Sequence, residues 1–422
     1  LDQDRSKALF TIPGLPPDLA PPPPGCRFAA RCARATEQCR EQEPPLTGES
    51  AAHLFACWHP VDGPVERLAS IPGAASNGHA KLAGDHLLEL DDLVREYPVT
   101  SGLVLQRAVD SVKAVSGVSI HVDSGETLGL VGESGCGKTT LGKMIVGAET
   151  PDSGSVELGG KRIFDLRGRA LRRARRDLQM MFQDPYASLD PRMRVQAILR
   201  EPLEVQRLGS RKERDEKIQN LLREVGLPPS ALERYPHEFS GGQRQRIGLA
   251  RALMLDPKVL VADEPVSALD VSIRSQILNL MRRMQAERNT ASVVISHDLA
   301  VVKYLADRIG VMYLGKLVEL GNGDDIYQRP AHPYTDGLIR AIPIPDPAAS
   351  RAGEVAVRGE LPSPRNPPSG CRFRTRCPRA QDLCAQEEPL LREFGPGHVA
   401  ACHFPLYDPA PPVAAGAAAP EA

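Results

Sequence analysis

Between His86 and about Gly321, short apolar β-rich runs alternate with charged stretches at helical spacing, the pattern of a layered α/β domain. The runs 127–131, 178–182, 258–262 and 292–296 read as buried strands, and 140–146 and 244–254 as helices. Outside this block the periodicity lapses. Residues 1–60 are rich in Pro and Cys, including the run Pro21 to Pro24. Residues 61–85 have the Pro, Gly, Ala and Ser content of a linker. Pro and Cys return over 341–407, and the Ala and Pro rich stretch 408–422 is expected to be disordered. The pattern therefore predicts one central α/β domain over 86–340, with a helical subdomain at about 185–255, flanked by two Cys-rich segments.

A chain of 422 residues fits two or three structural units. Lys plus Arg number 52 against 53 Asp plus Glu, so no global field favours nucleic acid or an anionic bilayer. With one Trp and 4% aromatics, a base-stacking platform for single strands is not expected. No run reaches the roughly eighteen apolar residues of a membrane span. No signal peptide opens the chain, which makes the cytoplasm the default expectation. The chain opens on Leu1, and its first residues read as the middle of a longer polypeptide.

The strongest chemical signal is Gly132-Glu133-Ser134-Gly135-Cys136-Gly137-Lys138-Thr139, followed by Thr140. It fills the phosphate-loop pattern between a strand and a helix, where backbone N–H groups and a helix N-terminus converge on phosphates. Lys138 would reach the β- and γ-phosphates, and the Thr139 hydroxyl would bind Mg²⁺. A second strand ends in Asp263 and Glu264, suited to the Mg²⁺ shell and to a general base that polarises water. Alone, such a pair is an ordinary solvated strand end; beside a phosphate loop it is a candidate site.

What lies between these elements decides the class. Ser240-Gly241-Gly242-Gln243, just before the helix-forming stretch Arg244 to Met254, resembles the signature of ATP-binding cassette proteins. Gln183, Ser267 to Asp270, and His297 stand in that family's order. The family's fold is an α/β cassette with a RecA-like core, an antiparallel β subdomain and an α-helical signature subdomain. The resemblance makes Gln183 a link from the nucleotide and Mg²⁺ site to a membrane partner, and Asp270 part of a dimer-contacting loop. It makes His297 the grip on the γ-phosphate, and Ser240 to Gln243 an anion site for nucleotide held by the opposite subunit. Tyr97 is the candidate for stacking on adenine. Singly, Gln183 reads as a surface amide, His297 as a satisfied histidine and Tyr97 as an edge-strand aromatic.

Arg234 to Arg246, Asp184 to Arg192, and Ala331-His-Pro-Tyr-Thr335 narrow the resemblance to the dipeptide, oligopeptide and nickel importers. That group implies an ATPase at the cytoplasmic side of the bacterial membrane. Its partners would be a second cassette, two integral permease subunits and an extracytoplasmic solute-binding protein, with no nucleic acid.

The cysteines form a separate pattern. Cys26, Cys32, Cys39 and Cys57 are separated by five, six and seventeen residues, and Cys371, Cys377, Cys384 and Cys402 repeat that spacing at an offset of 345. Gly25-Cys-Arg-Phe28 returns as Gly370-Cys-Arg-Phe373. An internal repeat of this period suggests a duplicated cassette with its tail, residues 1–60 being the tail of a preceding cassette. Four thiols in a reducing compartment suit a metal centre more than disulfides. The spacing lacks the paired knuckles of structural zinc, and in the resembled importers such tails are associated with 4Fe-4S clusters; zinc and unmetallated cysteines stay open. Arg27, Arg31, Arg372 and Arg376 lie where they could offset thiolate charge. Cys136 reads as an ordinary loop residue or an oxidation-sensitive one. The seven arginines between Lys161 and Arg176 read as a solvated helix face. Three function classes follow: an importer ATPase, a soluble iron-sulfur cassette acting on ribosomes or nucleic acid, and a redox-sensing module.

Overall fold

The computed structural model describes residues 8–9, 11–12, 14, 22–50, 53–61, 86–101, 107–184, 188–267, 269–342, 357 and 359–408. The expected linker over 61–85 and the expected disordered stretch 408–422 lie, but for Val61 and Asp408, outside the described residues. The chain divides into two compact units. One is Gln3–Asn77 with Asp270–Asn279; the other is Leu1–Asp2, Gly78–Leu269 and Leu280–Ala422.

The smaller unit carries the first cysteine quartet. Its short helix Glu37–Glu41 precedes an antiparallel hairpin of β1 (Leu46–Ser50) and β2 (His53–Ala56). The Cys26 N–H donates to the Cys39 carbonyl at 2.7 Å.

In the larger unit, β3 (Leu88–Ser101), β4 (Arg107–Val122), β6 (Ser153–Leu158) and β7 (Lys161–Arg162) form an antiparallel sheet in the order β4-β3-β6-β7. The main sheet has eight strands. Its parallel part runs β8 (Leu178–Met181), β9 (Val259–Asp263), β10 (Ala291–Ile295), β5 (Thr127–Val131) and β11 (Arg308–Tyr313). β5, β9 and β10 are buried at every position, as strands covered on both faces must be. The helices Val195–Val205, Arg211–Glu224 and Gly241–Leu253 make the helical part, and Ser210 caps the second through a reciprocal capping box with Glu213.

Three antiparallel strands complete the sheet beyond β11: β12 (Lys316–Asn322), β14 (His398–Ala401) and β13 (Leu391–Gly395). The Cys-rich segment, expected as a domain of its own over 341–407, thus shares a sheet and a compact unit with the cassette. Shifted by 345 residues, β1 and β2 take the ranges of β13 and β14, and the Cys26–Cys39 bond becomes Cys371 N–H to Cys384 carbonyl at 2.8 Å. The sequence repeat is a structural repeat.

A fully buried carboxylate ties the added strands to the cassette. Glu319 of β12 accepts from the Ala331 N–H at 2.6 Å and the His332 N–H at 3.0 Å, and His398 Nε2 of β14 lies 2.7 Å away. His332 caps the helix Pro333–Arg340, its Nδ1 accepting from the Tyr334 N–H at 3.0 Å. Burial pushes the His332 imidazole down to about 4, against the pull of Glu319. Its Nε2 has no hydrogen-bond partner among the described residues.

A depressed imidazole binds its proton in the unfolded chain before it does so in the folded one. Its contribution is therefore complete above the unfolded value near 6.5 and is lost as pH falls toward 4. Denaturant titrations at pH 7 and pH 5 should show wild type losing about 2 kcal/mol more than His332→Asn, which keeps a capping acceptor. Equal losses would place the acid sensitivity elsewhere.

Candidate active site

Backbone crowding shapes the phosphate loop. Gly132 has φ +149°, and a Cβ there would sit 2.2 Å from the Met312 carbonyl oxygen. Gly137 has φ +105°, and its Cβ would sit 2.0 Å from the Ala114 carbonyl oxygen. Only glycine fits either place. The helix Lys138–Ile145 starts at once, so its unbonded N–H groups face the loop. The buried Lys138 ammonium donates to the carbonyls of Gly132 at 2.7 Å and Glu133 at 3.0 Å.

Neighbouring parallel strands deliver the other groups to the same carboxyl edge, where α/β sheets bind ligands. Asp263 ends β9 and accepts from the Thr139 hydroxyl at 3.2 Å. Burial pushes the Asp263 carboxyl up, opposed by the Thr139 hydrogen bond; the Glu264 charge adds to the rise and Lys138 counters it. Two hard oxygen donors at a buried position beside a phosphate loop fit Mg²⁺, which keeps much of its shell for water and phosphate. The bound ion would neutralise phosphate charge.

Glu264 follows at φ +47°, the left-handed region that costs a non-glycine residue on the order of 1 kcal/mol. Its N–H donates to the Ile295 carbonyl at 2.8 Å. Gln183, two residues after β8, donates from Nε2 to Glu264 Oε2 at 2.9 Å, and His297 Nδ1, two residues after β10, lies 2.9 Å from Oε1. A carboxylate held from both sides at the rim of a phosphate cradle can orient and polarise a water.

Ser240 caps the helix Gly241–Leu253 through a reciprocal box with Gln243, the two bonds measuring 3.0 and 3.4 Å. Ser240 and Gly241 are exposed, so the signature offers a helix N-terminus to solvent. Asp270 is exposed ahead of the helix Val271–Arg288, its carbonyl accepting from the Arg274 N–H at 2.8 Å. Tyr97 lies on β3 with the Arg95 guanidinium 4.9 Å from its ring centre, and Arg95 in turn pairs with Glu149 and Asp152. The Cys136 thiol is fully buried and burial raises it, which agrees with the ordinary reading of that residue.

Two groups reach the loop that the sequence does not connect with it, Tyr334 and Arg376. The Glu133 N–H donates to the Tyr334 hydroxyl at 2.9 Å, and Arg376 makes a forked pair with the Glu133 carboxylate at 2.5 and 2.9 Å. Arg372 donates to the Leu314 carbonyl. These two arginines therefore reach into the cassette, where the sequence suggested partners for thiolate charge. The motif His332-Pro-Tyr334 was the available signal for Tyr334.

Among the described residues, His86, His121 and Asp123 are the one set whose ligand atoms all lie within 4.8 Å of one another; neither cysteine quartet forms such a set. A tetrahedral zinc with bonds of about 2.3 Å needs sulfurs about 3.8 Å apart, closer than either quartet holds three of its own. Burial first, then the neighbouring thiols, pushes Cys402 up to about 12 and Cys371 to about 11.

This fold and this edge define an ATP-binding cassette ATPase. Residues 115–267 match the ABC transporter family model, and residues 1–39 and 318–384 both match that of the oligopeptide/dipeptide transporter C-terminal region. The oligopeptide transport ATP-binding protein AppF of Bacillus subtilis is 50% identical over 320 residues, 75% of this chain and 97% of AppF. A probable peptide ABC transporter ATP-binding protein of Sinorhizobium fredii, y4tS, is 50% identical over 319 residues, 76% of this chain and 90% of its own. The dimeric cassette MJ0796, solved in a post-hydrolysis state with ADP and Pi, superposes with a TM-score of 0.50 at 26% identity, covering 56% of this chain and 98% of that one. The chain belongs to the ABC transporter ATP-binding proteins, in the oligopeptide/dipeptide group.

Replacing Glu264 by Gln should leave ATP binding intact and cut phosphate release by about a hundredfold or more, as expected when a base is lost. Undiminished release would remove Glu264 from that role.

Proposed function

We propose that the chain hydrolyses ATP at the cytoplasmic face of a bacterial membrane to power import of oligopeptides or dipeptides. The observation that carries this reading is the convergence of the phosphate loop, Asp263, Glu264, Gln183 and His297 on one sheet edge, in a chain whose relatives are named for peptide transport. Those names favour the importer over a soluble cassette acting on ribosomes or nucleic acid. Among the described residues no helix is long and apolar enough to cross a membrane. The partners are two integral permease subunits, fed by an extracytoplasmic solute-binding protein, and a second cassette. Nickel, glutathione and oligosaccharides are the alternative cargoes.

In this reading Lys138 and the loop of residues 132–140 bind the phosphates, Glu264 activates water, His297 grips the γ-phosphate, and Gln183 links the site to the membrane partner. Gln183 also joins Thr139 and Asp263 around Mg²⁺. The Ser240 to Gln243 helix start, exposed at Ser240 and Gly241, would contact the partner's γ-phosphate, Asp270 would meet the opposite cassette, and Tyr97 would stack on adenine. The repeated tail supports a tandem arrangement in which residues 1–60 follow another cassette. In proteoliposomes with the permease subunits and the binding protein, Lys138→Ala should abolish both ATP turnover and peptide uptake. Uptake that persists would refute the coupling.

The two cysteine quartets are read as ligands of 4Fe-4S clusters, a reading that rests on their all-thiolate donors and on a sequence spacing without the paired knuckles of structural zinc, with zinc as the alternative. Such a cluster would supply a rigid cross-link of four chain segments. Anaerobically purified protein should then hold about four iron and four sulfide per quartet. Zinc without sulfide would assign the sites to the metal ion instead.

A further inference from the structure

Glu133, second in the phosphate loop, is gripped at three places. Its carbonyl accepts from the Lys138 ammonium at 3.0 Å, its N–H donates to the Tyr334 hydroxyl, and its carboxylate takes the fork of Arg376. Two of these grips come from 201 and 243 residues downstream. An uncompensated carboxylate in a loop built for a triphosphate would repel it. Arg376, 7% exposed in its side chain, cancels that charge and fixes its direction through a bidentate geometry that lysine cannot reproduce.

The arginine is itself held by packing. Tyr313, Tyr334 and Phe373 are all buried and form a cluster with ring centres 4.7 to 5.3 Å apart. Arg376 also approaches the Tyr313 hydroxyl at 3.4 Å. A second path runs nearby: Arg372 bonds the Leu314 carbonyl, and the adjacent Gly315 N–H donates to the Cys136 carbonyl of the loop at 2.9 Å. Arg372 and Arg376 each adjoin a cysteine of the second quartet, Cys371 and Cys377.

We propose that Arg376 and Tyr334 are positioning residues for ATP binding: by fixing Glu133 they set the carbonyl that docks Lys138, so the cysteine-bearing tail tunes nucleotide affinity. The inference rests on reading residues 132–139 as the phosphate cradle. Because coupling of two equilibria is reciprocal, bound nucleotide must also stabilise the tail.

Calorimetric titration of ATP into the full chain tests it with Arg376→Ala, Arg376→Lys, Glu133→Gln, the double variant Arg376→Ala/Glu133→Gln, and Tyr334→Phe. Arg376→Ala should weaken ATP binding about tenfold and raise KM more than it lowers kcat, with Arg376→Lys in between. The double variant should bind no worse than Arg376→Ala alone, since the two share one interaction. Tyr334→Phe, which deletes a single oxygen, should also weaken binding and keeps the test open if Arg376→Ala folds poorly. Wild-type affinity in Arg376→Ala and Tyr334→Phe, or fully additive losses in the double variant, would overturn the proposal. Lys138→Ala separates the two readings. If it binds ATP normally the cradle itself is misassigned, and if it alone loses binding only the tail's role fails.

Discussion

Two carbonyl oxygens, those of Met312 on β11 and Ala114 on β4, close on the phosphate loop so tightly that positions 132 and 137 admit no side chain. That constraint sets the arrangement of everything else at the site. With no Cβ in the way, the loop can leave β5, turn sharply and enter the helix Lys138–Ile145, which turns the Lys138 ammonium back onto the carbonyls of Gly132 and Glu133. An alanine at either glycine would force main-chain atoms apart, since the clashing neighbours are backbone and cannot rotate away.

Strand order converts this local geometry into a reactive edge. β8, β9, β10 and β5 lie side by side and parallel, so groups scattered over more than a hundred residues of sequence all emerge from the same rim. Glu264 marks where the rim is strained: its backbone sits in the left-handed region while its carboxylate is held between Gln183 and His297. On the far side of the sheet order, Glu319 and the Tyr313, Tyr334 and Phe373 cluster fasten the cysteine-bearing tail to the cassette, so the tail is continuous with the structure that shapes the loop.

Much of this is legible in the sequence because it is local. The phosphate loop, the acids at the end of β9 and the capped signature helix are each written within a dozen residues, and their order along the chain carries the family resemblance. The cysteine repeat is equally readable, and the matching hairpins bear it out in the fold. The contacts that join distant segments leave no such trace. Arg376 has the same local surroundings as any arginine beside a thiol, and nothing in them points to Glu133; Tyr334 is visible only as part of a motif. Tyr97 is legible in the sequence as a stacking aromatic, and the Arg95 guanidinium that lies against its ring is not. The extension of the main sheet by β13 and β14 was hidden for a further reason: short strands among Pro and Cys lack the long apolar runs that announced the parallel core.

Through Glu133, Tyr334 and Arg376 the loop of residues 132–139 and the cysteine-bearing tail are bonded into one mechanical unit. Hydrogen–deuterium exchange of the full chain, with and without MgATP, reads whether the two respond together. Joint protection of residues 132–139 and 371–384 on adding nucleotide is the predicted result. Protection of the loop with no change in the tail would contradict it.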